Sequence, residues 1–267
     1  MFENLLIAAN AAIGGGEAIM KVYESGFEVE YKSDSSPLTL ADKNANDIII
    51  NNFLEQTGIP IISEENKEID YNTRKEWSEV WIVDPLDGTK EFVKRNGEFT
   101  VNISLVINNK PILGVIFVPV TKTLYLANVN DRWSKKIVLK DFQTISQESI
   151  DQATKLEPSL VGIDKFRIVG SRSHMNHSTK DFIESQVAIG RDIEIVSRGS
   201  SLKFCLVAEG LADVYPRFAP TMEWDTAAGQ AICEAVGIKV ISLDSGAPMI
   251  YNKKDLLNPH FIVSSKS

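Results

Sequence analysis

The stretch Trp81-Ile82-Val83-Asp84-Pro85-Leu86-Asp87-Gly88-Thr89 decides how this chain is read. An apolar, β-rich run stops at an acid, Pro85 fixes φ and removes a donor, and Gly88 permits a turn that other residues resist. Two carboxylates three positions apart can then be folded toward one point, an arrangement that needs a cation between them. Aspartates with an adjacent main-chain carbonyl, here that of Leu86, are hard oxygen ligands suited to Mg2+ or Mn2+. The plainer alternative is a β-turn, for which residues 84–88 are equally good material.

Other acids stand at comparable places in the chain. Glu64 follows the β-rich run 59–62, at a strand end where side chains of neighbouring strands converge. Asp225 opens a helical pattern over 225–236, and Asp42 stands at the start of another over 40–56. Either carboxylate can cap its helix or ligate a metal, and the spacing leaves both roles open.

Around these motifs the pattern divides in two. A helix spans about 2–23, interrupted by Gly14, Gly15 and Gly16, which lack the Gly-Lys-Ser/Thr ending of a P-loop and therefore suit close helix packing. Strands are expected at 59–62, 80–83, 101–107, 112–118 and 123–127, with Asn108-Asn109-Lys110-Pro111 as a hairpin connection. Beyond 155 the pattern alternates: strands at 167–169, 194–196, 239–242 and 261–264, and helices at 178–189, 201–209 and 225–236. The polar stretch 141–159 sets the boundary between an α+β domain, 1–155, and an α/β domain, 156–267.

Composition limits the function classes. At 267 residues, 43% hydrophobic and 24% charged, the chain is an ordinary globular protein. Its 28 basic and 36 acidic residues give a net charge of -8, which argues against a nucleic-acid partner, so an anionic substrate must be captured locally. The apolar runs 5–9, 48–50 and 115–118 are short and Glu3 replaces a basic leader, so we expect no transmembrane segment, no secretory signal and a cytoplasmic protein. Cys205 and Cys233 suit buried core thiols better than a zinc site. His174, His177 and His260 support no Ser/His/Asp triad.

Asp84-Pro85-Leu86-Asp87-Gly88-Thr89, the upstream Glu64 and the downstream Trp224-Asp225 resemble the two signatures of the inositol monophosphatase superfamily of metal-dependent, lithium-sensitive phosphomonoesterases. Two longer stretches, 91–102 and 199–205, with Tyr215-Pro216-Arg217-Phe218, are similar to the bacterial CysQ type of 3'(2'),5'-bisphosphate nucleotidases within that superfamily. The resemblance runs from the first helix to the last strand. It implies a layered αβαβα sandwich and hydrolysis of adenosine 3',5'-bisphosphate to AMP and phosphate.

The same resemblance assigns roles. Two Mg2+ ions, or three, with Mn2+ as a substitute, fall to Glu64, Asp84, the Leu86 carbonyl, Asp87 and Asp225. Glu64 and Thr89 would ready the attacking water, with Asp42 assisting or holding a further metal. Substrate would also touch Gly88 and, for its second phosphate, Ser171, His174, Ser200, Lys203 and Arg217, although Lys203 and Arg217 could equally be surface ion-pair residues. The partner is thus a small nucleotide bisphosphate, for a monomer or weak homodimer, with association at the inner membrane face left open. Alternatives are a phosphatase for inositol monophosphate or fructose 1,6-bisphosphate, and a nucleotide sensor without turnover.

Overall fold

The computed structural model describes residues 1–25, 29–31, 37–158, 165–170 and 176–264. Helix α1 (Phe2–Ser25) leads to the hairpin β1 (Val29–Tyr31) and β2 (Pro37–Thr39), then to α2 (Leu40–Ile49). The helix expected over 40–56 is continuous but changes winding, from α2 to a π segment, Ile50–Leu54, and a 3-10 turn, Glu55–Thr57.

Next come β3 (Ile61–Ser63), α3 (Tyr71–Arg74), β4 (Glu79–Asp87), α4 (Thr89–Val93), β5 (Thr100–Ile107), β6 (Lys110–Val118), β7 (Thr123–Asn128) and β8 (Trp133–Val138). With α5 (Gln147–Asp151) and β9 (Thr154–Lys155), they complete a sheet of order β3-β4-β5-β6-β7-β8-β9. Only β3 and β4 in this sheet run parallel; the other pairs are antiparallel. Asn108 and Asn109, both at positive φ (49° and 64°), join β5 to β6, as a two-residue primed turn requires. Within the polar stretch 141–159, where the domain boundary is expected, lie the helix α5 and the edge strand β9.

The second sheet is built from β10 (Phe166–Gly170), β11 (Ile193–Ser197), β12 (Val214–Arg217), β13 (Lys239–Ser242) and β14 (Phe261–Ser264), in the order β11-β10-β12-β14-β13. Its helices are α6 (His177–Ala188), α7 (Leu202–Ala208) and α8 (Glu223–Glu234).

Two apolar cores hold the layers. One joins Ile82, Val106 and Ile116 of the large sheet to Val169, Tyr215 and Val263 of the small one, with Phe204 of α7 and Ile232 of α8 between them. The other packs α1 and α2 against the opposite face of the large sheet. With α6 against β11 and β12, the stacking is helix, sheet, helix, sheet, helix.

By length and composition α1 could cross a bilayer, which its short apolar runs did not suggest. Its use here is as a core helix, with Leu5, Ala8, Ala12 and Ile19 fully buried. Gly16 permits that seating, because a Cβ there would lie 2.4 Å from the Phe117 ring. Cys205 and Cys233 are free and buried, as expected.

Candidate active site

The strand does not stop at Asp84, and the two acids do not sit in a simple turn. β4 continues through it to Asp87, pairing Asp84 with Asn102 and Asp87 with Thr100, and the register shifts between them. Pro85 and Leu86 occupy that irregularity, where a missing N–H costs no ladder bond. Leu86 N–H donates to Asp84 Oδ1 at 3.0 Å, and Thr89 Oγ1 donates to the Leu86 carbonyl at 3.5 Å. Gly88, at φ 94°, then turns the chain into α4, with only 3.3 Å from its Cβ position to the Glu98 carbonyl and to Ser200 Cβ.

Parallel pairing brings the next acid alongside. Glu64 N–H donates to Val83 O at 3.2 Å, extending the β3–β4 ladder by one residue and setting Glu64 beside Asp84. Asp225 arrives from α8. Its Oδ2 accepts Met222 N–H at 2.8 Å, so it caps the helix, and it still brings a carboxylate oxygen to Asp84 and Asp87. One oxygen of each of the three aspartates lies within 4.8 Å of the others. Capping and clustering, which the sequence left as alternatives for Asp225, are therefore compatible. Asp42 is 3% exposed in the first turn of α2, and its charge reaches Asp84.

Such crowding has an electrostatic signature. Burial, followed by the charges of Glu64, Asp87, Asp225 and Asp42, holds the Asp84 carboxyl well above the usual carboxylate range. Burial and then Asp87 push Asp225 up to about 8, partly offset by the Met222 N–H. Hard oxygen donors that resist sharing negative charge fit Mg2+ or Mn2+, and would relieve their repulsion by taking up such a cation.

Beside the aspartates lies a cavity of about 430 Å³ whose lining includes Asp87, Gly88, Ser200, Lys203, Arg217 and Asp225. Lys203 is no surface ion-pair residue: it is 7% exposed, donates from Nζ to Ser200 O at 2.9 Å and lies 5.9 Å from the Tyr215 ring centre. Burial lowers its pKa, against the opposing pull of Asp87. Arg217 donates from Nη2 to Pro220 O at 3.0 Å, while its buried Nε has no hydrogen-bond partner among the described residues. A larger cavity, about 620 Å³, opens on the side of Glu64 and Trp224. Its lining, including Ile61, Ile69, Met222 and Leu256, lacks the Asp87, Lys203 and Arg217 combination. Ser171 and His174 lie outside the described residues.

Sequence reading assigned no individual role to Thr100, Asn102 or Ser201, which support Asp87 from below. The available signal was the alternation of Thr100, Asn102 and Ser104, polar residues at every second position of an otherwise apolar strand.

Comparison with known proteins fits this arrangement. The inositol monophosphatase family model matches residues 2–267. The 3'(2'),5'-bisphosphate nucleotidase CysQ of Escherichia coli O157:H7 is 42% identical over 257 residues, covering 95% of this chain and 96% of that protein. CysQ of Buchnera aphidicola is 44% identical over 238 residues, 88% of this chain and 83% of its own. The crystal structure of CysQ from Bacteroides thetaiotaomicron superposes with a TM-score of 0.89 at 47% identity, covering 99% of this chain and 98% of that one. SuhB from Bartonella henselae, at 22% identity, covers 99% of this chain and 94% of its own, and shares the fold with a TM-score of 0.75. Matched from its second residue to its last, the chain belongs to the inositol monophosphatase family.

Proposed function

We propose that this chain is a Mg2+-dependent phosphomonoesterase that hydrolyses adenosine 3',5'-bisphosphate to AMP and phosphate. The observation that carries the reading is a cavity joining Asp87 and Asp225 of the carboxylate cluster to the buried Lys203 and the half-buried Arg217, whose Nε has no hydrogen-bond partner among the described residues. The nucleotidase relatives, aligned over nearly the whole chain, support the choice of substrate.

Glu64, Asp84, the Leu86 carbonyl, Asp87 and Asp225 would hold two Mg2+ ions, with Asp42 beside a third and Mn2+ able to substitute. Bound there, the metals supply Lewis acidity toward phosphate oxygens and acidify water. The chain orients that water with Glu64 and Thr89, the Glu64 carboxylate accepting its proton. Lys203, Arg217 and Ser200 hold the second phosphate, with Ser171 and His174 as further contacts. We place the enzyme in the cytoplasm, as a monomer or weak homodimer, and expect lithium to inhibit it.

A phosphate-release panel with and without EDTA tests this reading. Adenosine 3',5'-bisphosphate should exceed inositol monophosphate and fructose 1,6-bisphosphate by at least about tenfold in kcat/KM, roughly 1.4 kcal/mol of transition-state binding, and EDTA should abolish release. Equal rates would leave a sugar-phosphate phosphatase. Binding without phosphate release would leave the nucleotide sensor.

A further inference from the structure

We propose that Asn102 and Ser201 are positioning residues that set the Asp87 carboxylate for metal binding. The inference rests on the reading of Asp87 as a metal ligand. Four groups form a chain whose donors all point one way. Thr100 Oγ1 donates to Asn102 Oδ1 (3.0 Å), Asn102 Nδ2 donates to Ser201 Oγ (2.7 Å), and Ser201 Oγ donates to Asp87 Oδ2 (2.7 Å). Asn102 Nδ2 also lies 3.4 Å from Asp87 Oδ2. Aligned donors polarise one another, so the Asp87 oxygen receives a stronger donor than a lone hydroxyl. Thr100, Asn102 and Ser201 are at most 2% exposed, so bulk solvent does not compete for these hydrogen bonds.

The backbone of this segment gives up local stability for that geometry. Ser201 is the N-cap of α7, where a serine oxygen ordinarily accepts a helix N–H, yet its side chain makes no cap bond. The hydroxyl turns to Asp87 instead, with the Asp225 carbonyl as a second acceptor at 3.0 Å. Ser200, immediately before it, takes the left-handed φ of 43° that a side chain disfavours. Ser201 therefore spans the two sources of the cluster, Asp87 from β4 and Asp225 from α8.

Equilibrium titration of the purified full chain with Mn2+, read by calorimetry, tests the assignment. Ser201→Ala and Asn102→Ala should each weaken Mn2+ binding about tenfold or more, the range for groups that orient metal ligands. Ser201→Thr, which keeps the hydroxyl, should stay within about threefold of the native chain. A merely structural role predicts a lower Tm for both alanine variants with the Mn2+ dissociation constant unchanged, and that result overturns the proposal. Failure of the native chain to bind Mn2+ would overturn it together with the metal reading, whereas native binding with indifferent variants overturns this inference alone.

Discussion

Asp84 is almost fully buried and faces the charges of four other carboxylates, so its ionised form is disfavoured until a cation is added. Replacing it by its neutral isostere should therefore separate function from stability. Asp84→Asn is expected to lower phosphate release by more than about 100-fold, beyond the cost of losing an outer-shell group. At alkaline pH, where the metal-free carboxylate is ionised, the same variant should raise the Tm of the metal-free protein, by about 2–4 °C for each kcal/mol of repulsion relieved. Calorimetric melting in EDTA with a phosphate assay checks both, and a lower Tm would mean the carboxylate is a structural acceptor. Arg217→Ala should reduce kcat/KM for the bisphosphate by about 10–100-fold, since a charged hydrogen bond contributes about 1.5–3 kcal/mol. It should leave a nucleoside 3'-monophosphate nearly unaffected, and equal losses on both would place Arg217 elsewhere in the mechanism. Asp84 and Asp87 were legible because proline and glycine punctuate an apolar strand there. Asn102 and Ser201 were not, because their meaning depends on a contact made 99 residues apart in the chain.

Local pattern carried the strands and the helices only where neighbours agreed with it. The β5–β6 turn was readable because Asn108 and Asn109 tolerate the positive φ that their turn demands. β12 escaped notice for the opposite reason: Pro216 argues against a central strand. It is tolerated because the recorded pairing with β10 is at Val214, and Pro216 faces Ile262 of β14 beyond it. β9 is two residues long at a sheet edge, too short to leave a period. The glycine run of α1 was legible as a packing surface, and it supports a prediction. Gly16→Val would force side-chain atoms into Phe117, so unfolding in urea should show a loss of about 1–3 kcal/mol or more. Phosphate release per folded molecule should persist, because Gly16 belongs to the outer core beneath the sheet.

Across the whole molecule, the acids that meet come from different layers: Asp84 and Asp87 from the large sheet, Asp225 from the helix between the sheets. A cation shared by them would tie those layers together, and protons compete for the same oxygens. Asp225 has its pKa pushed from 3.8 up to about 8 by burial and then by Asp87, and Asp84 moves in the same direction. Between pH about 4 and about 8 the folded metal-free chain thus keeps protons that the unfolded chain has shed. The protons bound are more numerous in the folded state, so the free energy of unfolding falls as pH rises through that window. These groups contribute their full stability only below the unfolded pKa and lose it toward pH 8. Mg2+ requires the ionised carboxylates, so its binding releases those protons and grows with pH. The rise in Tm on adding saturating Mg2+ should accordingly be larger at pH 8 than at pH 5.5, while Tm in EDTA loses this contribution over the same interval. Scanning calorimetry at both pH values, with and without the metal, measures all four quantities. A Mg2+ effect that is constant or smaller at pH 8 would mean the aspartates do not exchange protons for metal, and the carboxylate cluster would lose its role as the cation site.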